Sequence, residues 1–236
     1  ITNKIKLNPN IEIVYEDDSL IVINKPKNIL VHPTTFNEDE TIVGLLKDKI
    51  NIKEFDDQVR PGIVQRLDKN TTGLMVIAKN KKASDDLIAQ INEDILIRKY
   101  LAIIHHNFKE DEIIIKAPIA RSKGDKLKMV VSDDPKAKNA QTNIEVIKHF
   151  KDACLIECLL LTGRTHQIRV HLSYLHHPVY NDELYGQFDG YENYGQFLHS
   201  HYLRFIHPLT NQIMEFEKEP DDTFKSLIKK LESENK

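Results

Sequence analysis

The sequence predicts an α+β fold, and three observations carry that expectation. At 236 residues with 40% hydrophobic content, the chain is long enough to bury a real core, as one large domain or two small ones. Strand-length apolar runs recur along it, parted by turns rich in Gly, Asp, Asn and Pro. A few stretches instead carry the i, i+3, i+4 pattern of an amphipathic helix.

In chain order, residues 11–15 and 20–24 read as two strands hinged on Asp17-Asp18. Asn28 is of a residue type that tolerates a left-handed turn. Residues 41–50 have helical spacing (Ile42, Leu45, Leu46, Ile50) with Thr41 at the N-terminus. Residues 62–67 and 74–78 read as strands flanking a polar turn from Asp68 to Gly73, where Gly73 is free to take a positive φ. Asn80 can cap a helix running to about Asn92, with Ala83, Leu87, Ile88 and Ile91 on one face. Strands follow at 95–105, 112–119, 128–131, 141–148 and 154–161. Gly163 turns a corner, and Ile168, Leu172 and Leu175 mark a helix. Residues 198–207 and 213–217 are the last strands. Phe224, Leu227, Ile228 and Leu231 form a C-terminal helix, with a tail from Glu232.

Composition excludes several classes. Lys+Arg 33 against Asp+Glu 36 gives a net charge of −3, so a nucleic-acid footprint would have to be local. Residues 121–140 offer one, with six cations against three carboxylates, although a solvated charged hairpin explains them as well. No apolar run is long enough to span a bilayer, and no signal peptide opens the chain. Cys154 and Cys158 read as buried strand residues rather than a disulfide, which fits a reducing cytoplasm. Paired histidines (His105-His106, His176-His177, His199 and His201) lack partners in zinc register. No G-x-S-x-G elbow for a serine hydrolase occurs.

The motif Arg66-Leu67-Asp68-Lys69-Asn70-Thr71-Thr72-Gly73-Leu74 carries the chemistry. An Asp opening a turn ordinarily accepts from the backbone N–H groups that follow, and that alone needs no catalysis. Tyr100, in Arg98-Lys99-Tyr100-Leu101-Ala102, reads equally well as a core strand tyrosine. Thr162-Gly163-Arg164-Thr165-His166-Gln167-Ile168-Arg169-Val170-His171-Leu172 is the third motif. In this order the three resemble the signatures of the RluA-type RNA pseudouridine synthases. Asn24-Lys25-Pro26, Val31-His32-Pro33 and His177-Pro178-Val179-Tyr180-Asn181-Asp182 are similar to further family segments. Gln65 stands where the family usually has His, Thr72 where it has Ser, and Asn28 and Asn181 where it has Gly.

The resemblance implies a mixed, mostly antiparallel β-sheet with flanking helices and loops around a central cleft. It implies an isomerase turning uridine into pseudouridine in structured RNA, ribosomal RNA favoured over transfer RNA. It gives Asp68, Arg169 and Tyr100 catalytic places, with Arg66, Thr72, Lys99, Arg164, His166 and Gln167 binding substrate. The reaction involves no redox change, so no cofactor or metal is expected. A catalytically silent RNA-binding module on the same fold is the alternative, and retention of Asp68, Tyr100 and Arg169 together argues for the enzyme. A glycosidase would want a second, partner carboxylate. Residues 1–236 are expected to be the catalytic domain. Nothing matches the small S4 RNA-binding domain many members carry, and the start at Ile1 leads to the expectation of a trimmed piece of a longer protein.

Overall fold

The structure, a computed structural model, describes residues 11–33 and 41–234; the Ile1 start lies outside them. β1 (Glu12–Glu16) and β2 (Leu20–Lys25) form a hairpin whose turn is held by Asp17, accepting from the Ser19 and Leu20 N–H groups at 2.7 and 3.0 Å. α1 (Ile42–Leu46) is capped by the Thr41 hydroxyl, which accepts from Gly44 N–H. β3 (Thr72–Ala78) leads into α2 (Lys81–Asn92), capped by Asn80 Oδ1. β4 (Ile97–His105), β5 (Glu112–Lys116), β6 (Ile119–Arg121), β7 (Met129–Val131), β8 (Gln141–His149) and β9 (Ala153–Leu160) follow. α3 (Gln167–Tyr174), β10 (Leu198–Ile206), β11 (Ile213–Glu217) and α4 (Asp222–Ser233) complete the order.

The strands build one nine-stranded sheet in the order β1-β2-β3-β10-β4-β9-β8-β5, with β11 also paired to β10; β6 and β7 form a separate hairpin. Every pair is antiparallel except β3 with β10, which run parallel at Thr72 and Gly73 opposite His199 and Ser200. The sheet is mixed and mostly antiparallel, and it does not close into a barrel.

Strand alternation splits the core in two. Ile21, Ile23, Met75, Ile77, Tyr100 and Cys158 face α1 and α3. Leu20, Val22, Leu74 and Val76 face α2 on the other side, where α4 also packs through Phe224, Leu227 and Leu231. Each such large apolar side chain contributes about 1.5–3 kcal/mol on burial.

Four sequence expectations need correction. Residues 62–67 are not a strand: β2 pairs along the whole of β3, and Gly62 at φ +70° leaves a single rung, Ile63 to Ile77, on its other edge. The run expected at 112–119 breaks after Lys116, because Pro118 has no N–H for the ladder; Ile119 joins the hairpin instead. On α2, Ile88 is exposed and Gln90 takes the buried place, bonding the backbone of Ile206 at 2.6 and 2.8 Å. α4 continues through Glu232 to Ser233.

Candidate active site

Three pieces of chain converge at the centre of the sheet. Asp68 ends the irregular approach to β3, Tyr100 points from β4, and Arg169 comes from the first turn of α3. Arg169 Nη1 donates to Asp68 Oδ2 at 2.9 Å. Its other edge grips Asp182 bidentately, Nε at 2.6 Å and Nη2 at 2.8 Å. Asp182 is 1% exposed and also accepts from the N–H groups of Leu184 and Tyr185, so the guanidinium is locked from behind. Burial is the largest influence on Asp68 and raises its pKa, but the charge and hydrogen bond of Arg169 and the charge of Arg66, joined by His166 once acid protonates it, overturn it. The carboxyl is held below its ordinary value and is ionised at neutral pH.

The turn that carries Asp68 is clamped from below by Lys25. This lysine is fully buried, and its Nζ donates to the carbonyls of Pro26, Lys69 and Thr71 at 2.8–2.9 Å. Three acceptors match the three N–H bonds of an ammonium. Burial pushes its pKa down to about 7, opposed by the Asp68 charge. Gly73, at φ +110°, lets β3 reach β10: a Cβ there would stand 2.2 Å from Ser200 O.

His166 begins α3 in the left-handed region at φ 55°. Its Nδ1 lies 2.8 Å from the Tyr185 hydroxyl, which already accepts from Met129 N–H of β7. A hydroxyl hydrogen given to Nδ1 would leave the Nε2–H toward Asp68 Oδ1, 3.9 Å away. Burial lowers the His166 pKa despite Asp68, so the ring is neutral. The same tyrosine ring stacks beneath Arg169, 5.0 Å from its guanidinium carbon.

The expected residues do not all meet here. Asp68, Arg169, Tyr100, Arg66, Arg164, His166 and Gln167 line one pocket. Arg66 is exposed and Arg164 half-buried at its rim; Arg164 Nε is tied to Asn139 O at 2.9 Å. Gln167 spends its amide on the scaffold, accepting from Thr162 and Arg164 and donating to Gln141 and Thr142. Lys99 points to the opposite face of β4, paired with Glu157 at 2.7 Å. Thr72 also faces away, donating to His199 Nδ1 at 2.7 Å, while His199 Nε2 donates to Lys218 O. Lys25, Asp182 and Tyr185 were not singled out from sequence. The first two sit in segments that the family resemblance had marked; Tyr185 lies just beyond and had no signal.

Comparison with known proteins decides the family. Residues 19–174 match the model of the RNA pseudouridylate synthase family. The chain belongs to that family. It is 40% identical over 223 residues to an uncharacterized RNA pseudouridine synthase, YlyB, of Bacillus subtilis, covering 94% of this chain and 73% of the relative. It is 37% identical over 238 residues to the ribosomal large subunit pseudouridine synthase D of Zymomonas mobilis, covering 96% and 74%. Human RNA pseudouridylate synthase domain containing 1 superposes with a TM-score of 0.70 at 25% identity, covering 95% of each chain. Membership makes the chain an RNA-modifying isomerase, as the motifs implied. Among the described residues no helix is long and apolar enough to cross a membrane, and no group of three or more His, Cys, Asp or Glu is placed to hold a metal.

Proposed function

We propose that Asp68 is the carboxylate that acts at the ribose of a uridine turned out of structured RNA. Arg169 keeps it ionised and oriented, and Tyr100 meets the base in the same pocket. The observation that carries this reading is the 2.9 Å contact of Arg169 Nη1 with Asp68 inside a pocket that Tyr100 also lines. The N1–C1′ bond breaks, the uracil turns and C5 joins C1′; C5 then loses its proton to solvent and N1 takes one up. Attack at C1′ and proton removal at C2′ both require the ionised Asp68. Extruding the uridine costs a few kcal/mol of stacking. The aromatic ring of Tyr100 offsets part of it.

Ribosomal RNA is the favoured substrate, supported by the printed name of the Zymomonas mobilis relative. The cytoplasm is the compartment, in keeping with two free, buried cysteines. Residues 1–236 act together as the catalytic domain.

Tritium release from C5-labelled uridine in unmodified ribosomal and transfer RNA tests the reading. The wild type should release tritium from ribosomal RNA, and Asp68→Asn should be slower by at least about a thousandfold with binding little changed. An Asp68→Asn protein that turns over normally would end the assignment.

A further inference from the structure

Beside the Asp68 pocket lies a larger groove of about 540 Å3, and the two meet along Arg66, Tyr100, Leu160 and Arg164. Unsatisfied polar atoms concentrate in its wall. Four buried side-chain nitrogens and oxygens of the described residues have no hydrogen-bond partner. Three of them, His32 Nδ1, Gln65 Nε2 and Arg98 Nε, belong to residues lining this groove. Gln65 and Arg98 are only 6% and 4% exposed. Buried polar groups normally find partners, so three orphans around one opening point to a partner that arrives with a ligand.

The charges are graded along the groove. At its outer end Arg60 is paired with Asp57 at 2.8 Å and Lys81 with Asp85 at 3.1 Å, so those cations are neutralised locally. At the end facing Tyr100, Arg66 and Arg98 have no carboxylate within ion-pair distance among the described residues. Gly163 leaves room for the Arg98 guanidinium: a Cβ there would stand 3.1 Å from Nη1. Phe55, Ile63 and Ile91 supply apolar wall. The site thus combines apolar wall, unpartnered buried N–H donors on its lining side chains, and the cations Arg66 and Arg164 on the ridge shared with the catalytic pocket.

We propose that this groove receives a second unpaired nucleotide of the RNA, a strand neighbour of the target uridine. Its acceptor edge turns to Gln65 Nε2 and Arg98 Nε, and the linking phosphate crosses the ridge between Arg66 and Arg164. The inference rests on the RNA-modifying reading above. On its major-groove edge guanine presents two acceptors, O6 and N7, whereas adenine sets an amino group beside its N7, against one of the two waiting donors. Sites built around hydrogen-bond donors reject ligands that leave them unpaired. The groove is therefore a specificity device, reading a base that does not react.

The test uses the RNA on which the wild-type protein releases tritium, made with an abasic residue at each neighbour of the target in turn. One neighbour should matter, its loss raising KM about tenfold. Gln65→Leu should raise KM on intact RNA by a similar factor and add nothing on that abasic RNA. Adenine at the same position should behave like the abasic residue. Losses that multiply, or indifference at every neighbour, overturn the proposal. Ile88→Trp, placed on the exposed groove-facing side of α2, fills the space without disturbing a buried residue and covers the case in which Gln65→Leu does not fold. An unchanged KM for it counts equally against. If the wild type releases tritium from no RNA, the catalytic reading fails separately. The same intact and abasic ribosomal RNA fragments, titrated against Asp68→Asn protein by fluorescence anisotropy, then decide the groove on affinity alone.

Discussion

Arg169 divides one guanidinium between two carboxylates, and that division governs how the site answers acid. Asp68 titrates below its ordinary 3.8, so its stabilising contribution is complete above that value and is lost as pH falls through the folded pKa. Arg169→Met leaves Asp68 and Asp182 facing each other without a cation. The acid limb of the kcat profile should then move to higher pH, and folding stability should fall by about 3–5 kcal/mol in a urea titration. Arg169→Lys should restore much of the acid limb but less of the stability, since an ammonium lacks the fork that holds Asp182. A profile unmoved in the methionine variant would show that Arg169 does not set the Asp68 charge. Residue by residue, the sequence was legible where a motif named the group and obscure where orientation mattered. Tyr100 and Lys99 are neighbours on a strand, so only one of them can face the cleft; a period of two already separates them. The reach of Asp182 to Arg169 was hidden, because nothing local to a turn aspartate says which distant arginine it will meet.

Among the elements, the turn before β3 depends on a lysine 43 to 46 residues upstream of it. Lys25→Met removes three donors from beneath Asp68 and should lower kcat far more than it raises KM, with the carbonyls of Lys69 and Thr71 left unpaired. The pH response follows from the same group. Its folded pKa of about 7 lies below the ordinary 10.5, so between these values the unfolded chain holds the extra proton and this group makes the fold more stable as pH rises. Over that window the deprotonated amine has one donor fewer, and turnover should decline while the melting temperature does not follow it down. A Lys25→Met protein with wild-type kcat would remove the clamp from the argument. The central strands β2 and β3 were readable because their apolar runs are buried on both faces. Residues 62–67 misled for a complementary reason: they are apolar enough for a strand, but the backbone, turned at Gly62 with φ +70°, meets the free edge of β3 at one rung only.

At the scale of the whole molecule, the Asp68 pocket and the groove beside it share one ridge on one sheet. The cleft itself could not be located from periodicity, which describes each strand alone and not the order in which strands pair. That order has a temporal side. β3, which springs from the Asp68 turn, meets β10 through Thr72 and His199, 127 residues later in the chain. A ribosome must therefore finish most of the polypeptide before the pocket has both walls, and until then one edge of β3 stands open to any passing strand. A chain ended at residue 197 should be inactive and should precipitate on release, however faithfully its earlier hairpins form. Recovery of soluble, active protein from that fragment would show the late strand to be dispensable. If it is not, this enzyme is silent throughout its own synthesis and acquires its activity in one late step.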